Sequence, residues 1–174
     1  LQVVLADEYM LYTKLHNYHW NVTGPQFRSL HKLFEEQYDA IHGHIDEIAE
    51  RIRTYGEFAV GTMSELAGRS RLSEQPGVYP NGHDMVLELV ADHEAMVRNL
   101  RGDLEKADEK YGDVAAEDFL TGLLQAHQEM ARERHALQTH AEAFGQRHLH
   151  HRQRDRVAQP AVDHVVEVAV SRVV

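Results

Sequence analysis

The side chains in this sequence best suited to chemistry are imidazoles and carboxylates spaced through its first third: His19, His31, Glu35, Asp46 and Glu50. Imidazole nitrogen and carboxylate oxygen both ligate divalent ions, so residues of these types suggest metal binding. With His31 as origin and 100° per residue, Glu35 falls at about 40°, His42 at about 20°, Asp46 at about 60° and Glu50 at about 100°. All lie on one face of a helix. Along its axis, Glu35 and Asp46 are separated by roughly 16 Å, whereas a metal–ligand bond is about 2 Å. No single ion can touch both on one helix, so each pair is half a site.

The two halves share a midpoint, since His31–Glu50 and Glu35–Asp46 are both centred between Ala40 and Ile41. Two copies of the helix packed antiparallel about a two-fold axis there would set His31 against Glu50 of the partner subunit. Glu35 would then face Asp46 of the partner subunit. Two equivalent sites result, as a self-complementary dimer requires. The same register brings Asp39 opposite His42, and the small residues Ala40 and Gly43 permit close approach. Histidines and carboxylates four residues apart also occur on solvated helix faces, so a single pair carries little weight. The shared midpoint favours the dimer only modestly, because an acidic helix offers many pairs.

Helices must position these residues. The first is expected over Leu1 to about Asn21, with Leu1, Leu5, Tyr12 and Leu15 on one face and His19 in the same stripe. The stretch "NVTGP" closes it, with Gly24 and Pro25 as stop and restart signals. A second helix runs from about Gln26 to Tyr55 and ends at Gly56. Thr62 and Glu65 form a capping-box pattern in the connection that follows, predicting one or two helical turns there. "SRLSEQPGVYPNGHD" is turn-rich. A third helix is expected from about Asp84 to Lys110, and a fourth from an Asp113 cap to Gly145. The predicted class is all-α: a four-helix bundle with a short helix in the long connection between helices 2 and 3. Residues 1–145 form that domain and 146–174 a C-terminal tail.

Composition narrows the function further. The chain has 174 residues, 43 % of them hydrophobic, which is enough for one domain with a real core. Cysteine is absent, which excludes disulfides, thiolate metal sites and cysteine nucleophiles. No apolar run is long enough to span a membrane. A net charge of −10 argues against nucleic-acid binding by bulk electrostatics. The 14 histidines are several times the usual share, although His148, His150, His151 and His164 fall in the tail. The sequence starts at Leu1 without Met, so a leader or arm is expected to be missing.

The stretch "YHWNVTGPQFRSLHKLFEEQYDAIHGHIDEIAERI" resembles the signature of the Dps family, the DNA-binding proteins from starved cells or mini-ferritins of the ferritin-like superfamily. The family pattern is HWN-x-x-G and an aromatic, a His twelve residues after the first, a carboxylate four later, and D-x-x-x-E beyond. His19, His31, Glu35, Asp46 and Glu50 occupy those positions, with Trp20, Asn21, Gly24 and the Ala49-Glu50-Arg51 run also matching. The resemblance covers Leu1 to about Gly145. One departure is Glu35, where the family usually has Asp; the longer side chain can reach an ion but alters the second metal position.

This resemblance implies a dodecameric shell built from two-fold dimers, with a ferroxidase centre at the dimer interface. His19 and His31 would come from one subunit, and Asp46 and Glu50 from its two-fold mate. Fe(II) would be oxidised there by hydrogen peroxide and stored inside as Fe(III) mineral, protecting DNA from oxidative damage in the cytoplasm or nucleoid. Mixed imidazole and carboxylate ligands with open positions suit that chemistry, and Zn(II) fits the same ligands without redox turnover. The residues leave open whether one iron binds or two, and whether peroxide or dioxygen is the preferred oxidant.

Other features carry competing readings. Trp20 is a packing anchor or, beside a ferroxidase ligand, a radical quencher; His42 and His44 are outer-sphere or transit ligands, or simply solvated or interface residues. No E-x-x-H motif occurs anywhere in the chain, and the nearest substitutes, His93 with Glu94 and His127 with Glu129, place their members on different faces. An intrasubunit di-iron centre is therefore not expected. Glu117 and Asp118 open the fourth helix, either lining an iron-entry pore or simply favouring a helix N-terminus. In the tail, His148, His150 and His151 stand among Arg147, Arg152, Arg154 and Arg156. They admit DNA-phosphate binding, metal capture, or docking on a neighbouring subunit, the last favoured by the Val-rich end. The rival function is a nucleoid-associated architectural protein with incidental metal binding; a third is a dimeric helical metal-binding protein that makes no cage.

Overall fold

The computed structural model describes residues 1–132, all of whose regular structure is helical. The predicted end of the fourth helix, the domain boundary at 145 and the tail residues His148, His150, His151, Arg152 and Arg154 lie outside the described residues. Four long helices, α1 (Gln2–Asn21), α2 (Phe27–Thr54), α4 (Gly82–Lys106) and α5 (114–132), each bury one face, and the short α3 (Met63–Arg69) sits in the connection between α2 and α4. Leu5, Leu11 and Leu15 of α1, Phe34, Ile41 and Ile48 of α2, and Met85, Leu89, Met96 and Leu100 of α4 are fully buried; Leu120, Leu123 and Met130 of α5 join them.

The boundaries follow local chemistry. Gly24, at φ +99°, makes the turn between α1 and α2 that a residue with a Cβ adopts only under strain. Gly56, at φ +84°, terminates α2 where expected. The capping box on α3 is formed on both sides, with Thr62 accepting from the Glu65 amide and the Glu65 carboxylate accepting from the Thr62 amide. Asp113 caps α5, accepting from the Ala116 amide at 3.0 Å. It also accepts from the Tyr55 hydroxyl at 2.5 Å, and that bond, the largest of several causes, holds its carboxyl below the usual range.

Two expectations need correction. The third long helix begins at Gly82 rather than Asp84, because the Asn81 side chain accepts from the amides of His83 and Asp84 and so fixes the start. Its α-helical part stops at Lys106; Ala107–Tyr111 form a wider π turn closed by Gly112 at φ +57°. The buried stripe of α1 also differs from the reading in which Tyr12 belongs to the core face. Val4, Leu5, Ala6, Asp7, Glu8, Leu11, Leu15 and Tyr18 are the buried set, while Tyr12 lies half-buried beside His16, Tyr38 and His42.

The long connection is pinned to α1 by polar contacts. Asp7, fully buried, accepts from the Arg71 amide at 2.6 Å, the Ser70 hydroxyl at 3.1 Å and the Arg71 guanidinium at 2.7 Å. The same guanidinium reaches Asp103 of α4 at 2.9 Å. Gln2 brackets the connection nearer its start, donating to the Phe58 carbonyl and accepting from the Val60 amide. No helix among the described residues is long and apolar enough to cross a membrane.

Candidate metal centre

The turn at residues 22–26 folds the last turn of α1 against the first of α2, and this stacks His19 on His31 with ring centroids 3.6 Å apart. Each ring is tied to the other's backbone. His19 Nδ1 donates to the His31 carbonyl and His31 Nδ1 donates to the His19 carbonyl, both at 2.9 Å. A carbonyl can only accept, so both Nδ1 atoms carry hydrogen. In the neutral ring the lone pair is then on Nε2, the tautomer a metal-binding histidine needs, with its orientation fixed by an outer hydrogen bond. Phe27 lies against the other side of His31, at 5.0 Å between centroids, and Tyr38 meets His19 edge-on at 5.3 Å. These aromatics lock the rings in place.

Glu35 is half-buried, and Asp46 and Glu50 are exposed, all on α2. Among the described residues, no hydrogen bond or ion pair within the chain engages any of the three carboxylates. Because α2 is a continuous helix over these positions, the 16 Å estimate stands, roughly, and the Asp46–Glu50 pair is beyond an ion held by the two histidines. Asp39, Ala40, His42 and Gly43, around the proposed two-fold, are likewise exposed. The structure thus brings His19 and His31 together within one chain and leaves Asp46 and Glu50 exposed.

Trp20 is 70 % exposed and its nearest ring neighbour is His16, at 5.2 Å. His16 in turn stacks on Tyr38 at 3.9 Å. His42 lies on the same outer surface, 5.9 Å from Tyr12. His44 does not. Two residues along a helix turn the side chain by about 200°, so His42 and His44 cannot serve one face, and His44 points into the bundle toward Glu8 and His127. Burial lowers its pKa, partly opposed by the Glu8 carboxylate. Glu117 is half-buried and Asp118 exposed in the first turn of α5.

Sequence reasoning missed a polar cluster in the core. Glu8, His93 and His127 are each fully buried, and the partly exposed His44 adjoins Glu8 and His127. His93 and His127 are buried while Glu94 and Glu129 are exposed, so the members of each pair lie on different faces, as expected. His127 meets Glu8, 119 positions earlier in the chain, and His93 meets His127. A signal was present: Glu8 interrupts the apolar series Leu1, Leu5, Leu15, and His127 the series Leu120, Leu123, Met130.

Comparison with known proteins follows the same lines. Residues 1–144 match the model of the ferritin-like domain. The chain is 46 % identical over 127 residues to an uncharacterized low temperature-induced protein of Nostoc sp. (strain PCC 7120), covering 73 % of this chain and 71 % of that protein. It is 41 % identical over 119 residues to DNA protection during starvation protein 2 of Bacillus anthracis, covering 68 % of this chain and 80 % of that protein. The crystal structure of Dps from Staphylococcus aureus superposes with a TM-score of 0.74 at 34 % identity, over 79 % of this chain and 91 % of that one.

Proposed function

Because the chain belongs to the Dps family of ferritin-like proteins, we propose that it oxidises Fe(II) with hydrogen peroxide at centres shared between two-fold-related subunits of a dodecameric shell. The Fe(III) product is stored inside as mineral, and DNA is spared the radicals that free Fe(II) and peroxide generate. The observation that carries this reading is the reciprocal His19–His31 clamp, which presents two Nε2 lone pairs one helical turn from Glu35, with Asp46 and Glu50 of the same chain out of reach.

In this reading His19 and His31 bind the substrate ion as neutral donors, which favours Fe(II) over harder cations. Asp46 and Glu50 from the facing chain offset its charge. Glu35, longer by one methylene than the family's usual Asp, extends toward a second ion. Two Fe(II) ions supply the two electrons that one peroxide consumes, and two protons complete its conversion to two waters, so no one-electron hydroxyl radical is released. Zn(II) occupies the same ligands and competes without turning over.

The test is kinetic. His31→Ala combined with Asp46→Ala should abolish peroxide-driven Fe(II) oxidation while the particle still assembles; unchanged oxidation kinetics in an intact particle would refute the assigned site.

A further inference from the structure

Inside the bundle, away from the surface occupied by His19 and His31, three helices aim ligands at one point. His127 Nε2 of α5 lies 2.9 Å from Glu8 Oε1 of α1, and His44 Nδ1 of α2 lies 3.8 Å from the same oxygen. One ligand atom from each of the three lies within 4.8 Å of the other two. We propose that Glu8, His44 and His127 form a second, intrasubunit site for a single divalent transition-metal ion of the Zn(II) or Co(II) class.

Hydrogen bonding alone leaves this cluster unfinished. His127 Nε2 engages Glu8 Oε1, and His127 Nδ1 sits 2.9 Å from His93 Nδ1. Yet Glu8 Oε2 and His44 Nδ1 are buried with no hydrogen-bond partner. A buried carboxylate oxygen without a partner is costly, and native interiors rarely keep one. An ion at the centre satisfies both orphaned atoms at once. Two ligands of a tetrahedral ion stand roughly 3.4 Å apart, a value that the 2.9 and 3.8 Å separations bracket. Only small side-chain shifts are needed.

Loading also has a consistent proton arrangement. When His127 gives its Nε2 lone pair to the ion, its hydrogen resides on Nδ1 and is donated to His93 Nδ1, so α4 supports the ligand from behind. Each of the four long helices thereby contributes one residue. Such an ion ties the bundle together rather than exchanging with solvent, since Glu8 and His127 are fully buried. The site differs from a di-iron centre in having one carboxylate and three ligands from three helices.

The experiment uses the assembled particle carrying His19→Ala, His31→Ala and Asp46→Ala, stripped with chelator, so that the surface centre does not contribute. Titration with Co(II) should show one ion per chain with intense visible d–d bands, and Zn(II) should raise the thermal midpoint in a concentration-dependent way. Adding Glu8→Gln should weaken Co(II) binding at least about tenfold, and so should His44→Gln, whose partly exposed ring makes it the milder change. Less than one ion per chain in the parent particle overturns the proposal, as does affinity unmoved by both added substitutions. Should neither added variant assemble, anomalous scattering from a Zn(II)-soaked crystal of the unaltered chain decides: a peak between Glu8 and His127 supports the site, and its absence there overturns it.

Discussion

In the proposed centre, His19 and His31 are set by one chain before any ion arrives. Their side chains hydrogen-bond only to each other's main chain at Nδ1, so tautomer and ring plane are fixed by the turn that joins two helices. Trp20 follows His19 directly and is largely exposed. A paramagnetic ion bound at His19 should therefore quench Trp20 emission, with an end point that the His31→Ala, Asp46→Ala variant fails to reach; emission indifferent to Co(II) in the unaltered protein would place the ion elsewhere. His31 was legible because it shares a helix face and a midpoint with Glu35, Asp46 and Glu50, and His19 because it opens the HWN motif. Glu8 was not, since its meaning depends on His127, 119 positions later, and no local period relates the two. His44 was misplaced for a simpler reason, its proximity in sequence to His42, which a helix turns into opposition in space.

At the scale of elements, capping chemistry accounts for the boundaries: Thr62 with Glu65 on α3, Asn81 on α4 and Asp113 on α5. The first and third were legible in the sequence; Asn81 lies as close to its amide partners, His83 and Asp84, but stands within the turn-rich stretch read as connection. The sequence did not reveal how the connection is held, because Asp7 and Arg71 are brought together only by the packing of α3 against α1. Arg71→Met leaves the Asp7 carboxylate buried without its counter-charge and should destabilise the fold by about 3 kcal/mol, read from chemical denaturation. Loss of less than about 0.5 kcal/mol, the usual effect of a surface substitution, would show that the pair is not holding the connection. The π turn at Ala107–Tyr111 carried no readable signal beyond the Gly112 that ends it.

For the whole molecule, several large apolar side chains stand exposed on the single chain, among them Trp20 at 70 %, Phe58 at 83 % and Val114 at 74 %. Exposed apolar groups of this size fit surfaces that other subunits cover. Twelve copies of the 20.0 kDa chain give a particle of about 240 kDa, which light scattering should find; a stable dimer would contradict the shell. The central claim, that each oxidation centre takes His31 from one chain and Asp46 from another, has a direct test in subunit mixing. Particles of His31→Ala alone and of Asp46→Ala alone should both be inactive. Co-folded in equal amounts, half of the dimers pair one of each, and every such dimer contains one centre with both residues intact. The mixture should recover about a quarter of the unaltered activity, whereas a mixture no more active than its parents would mean that the centre lies within one chain.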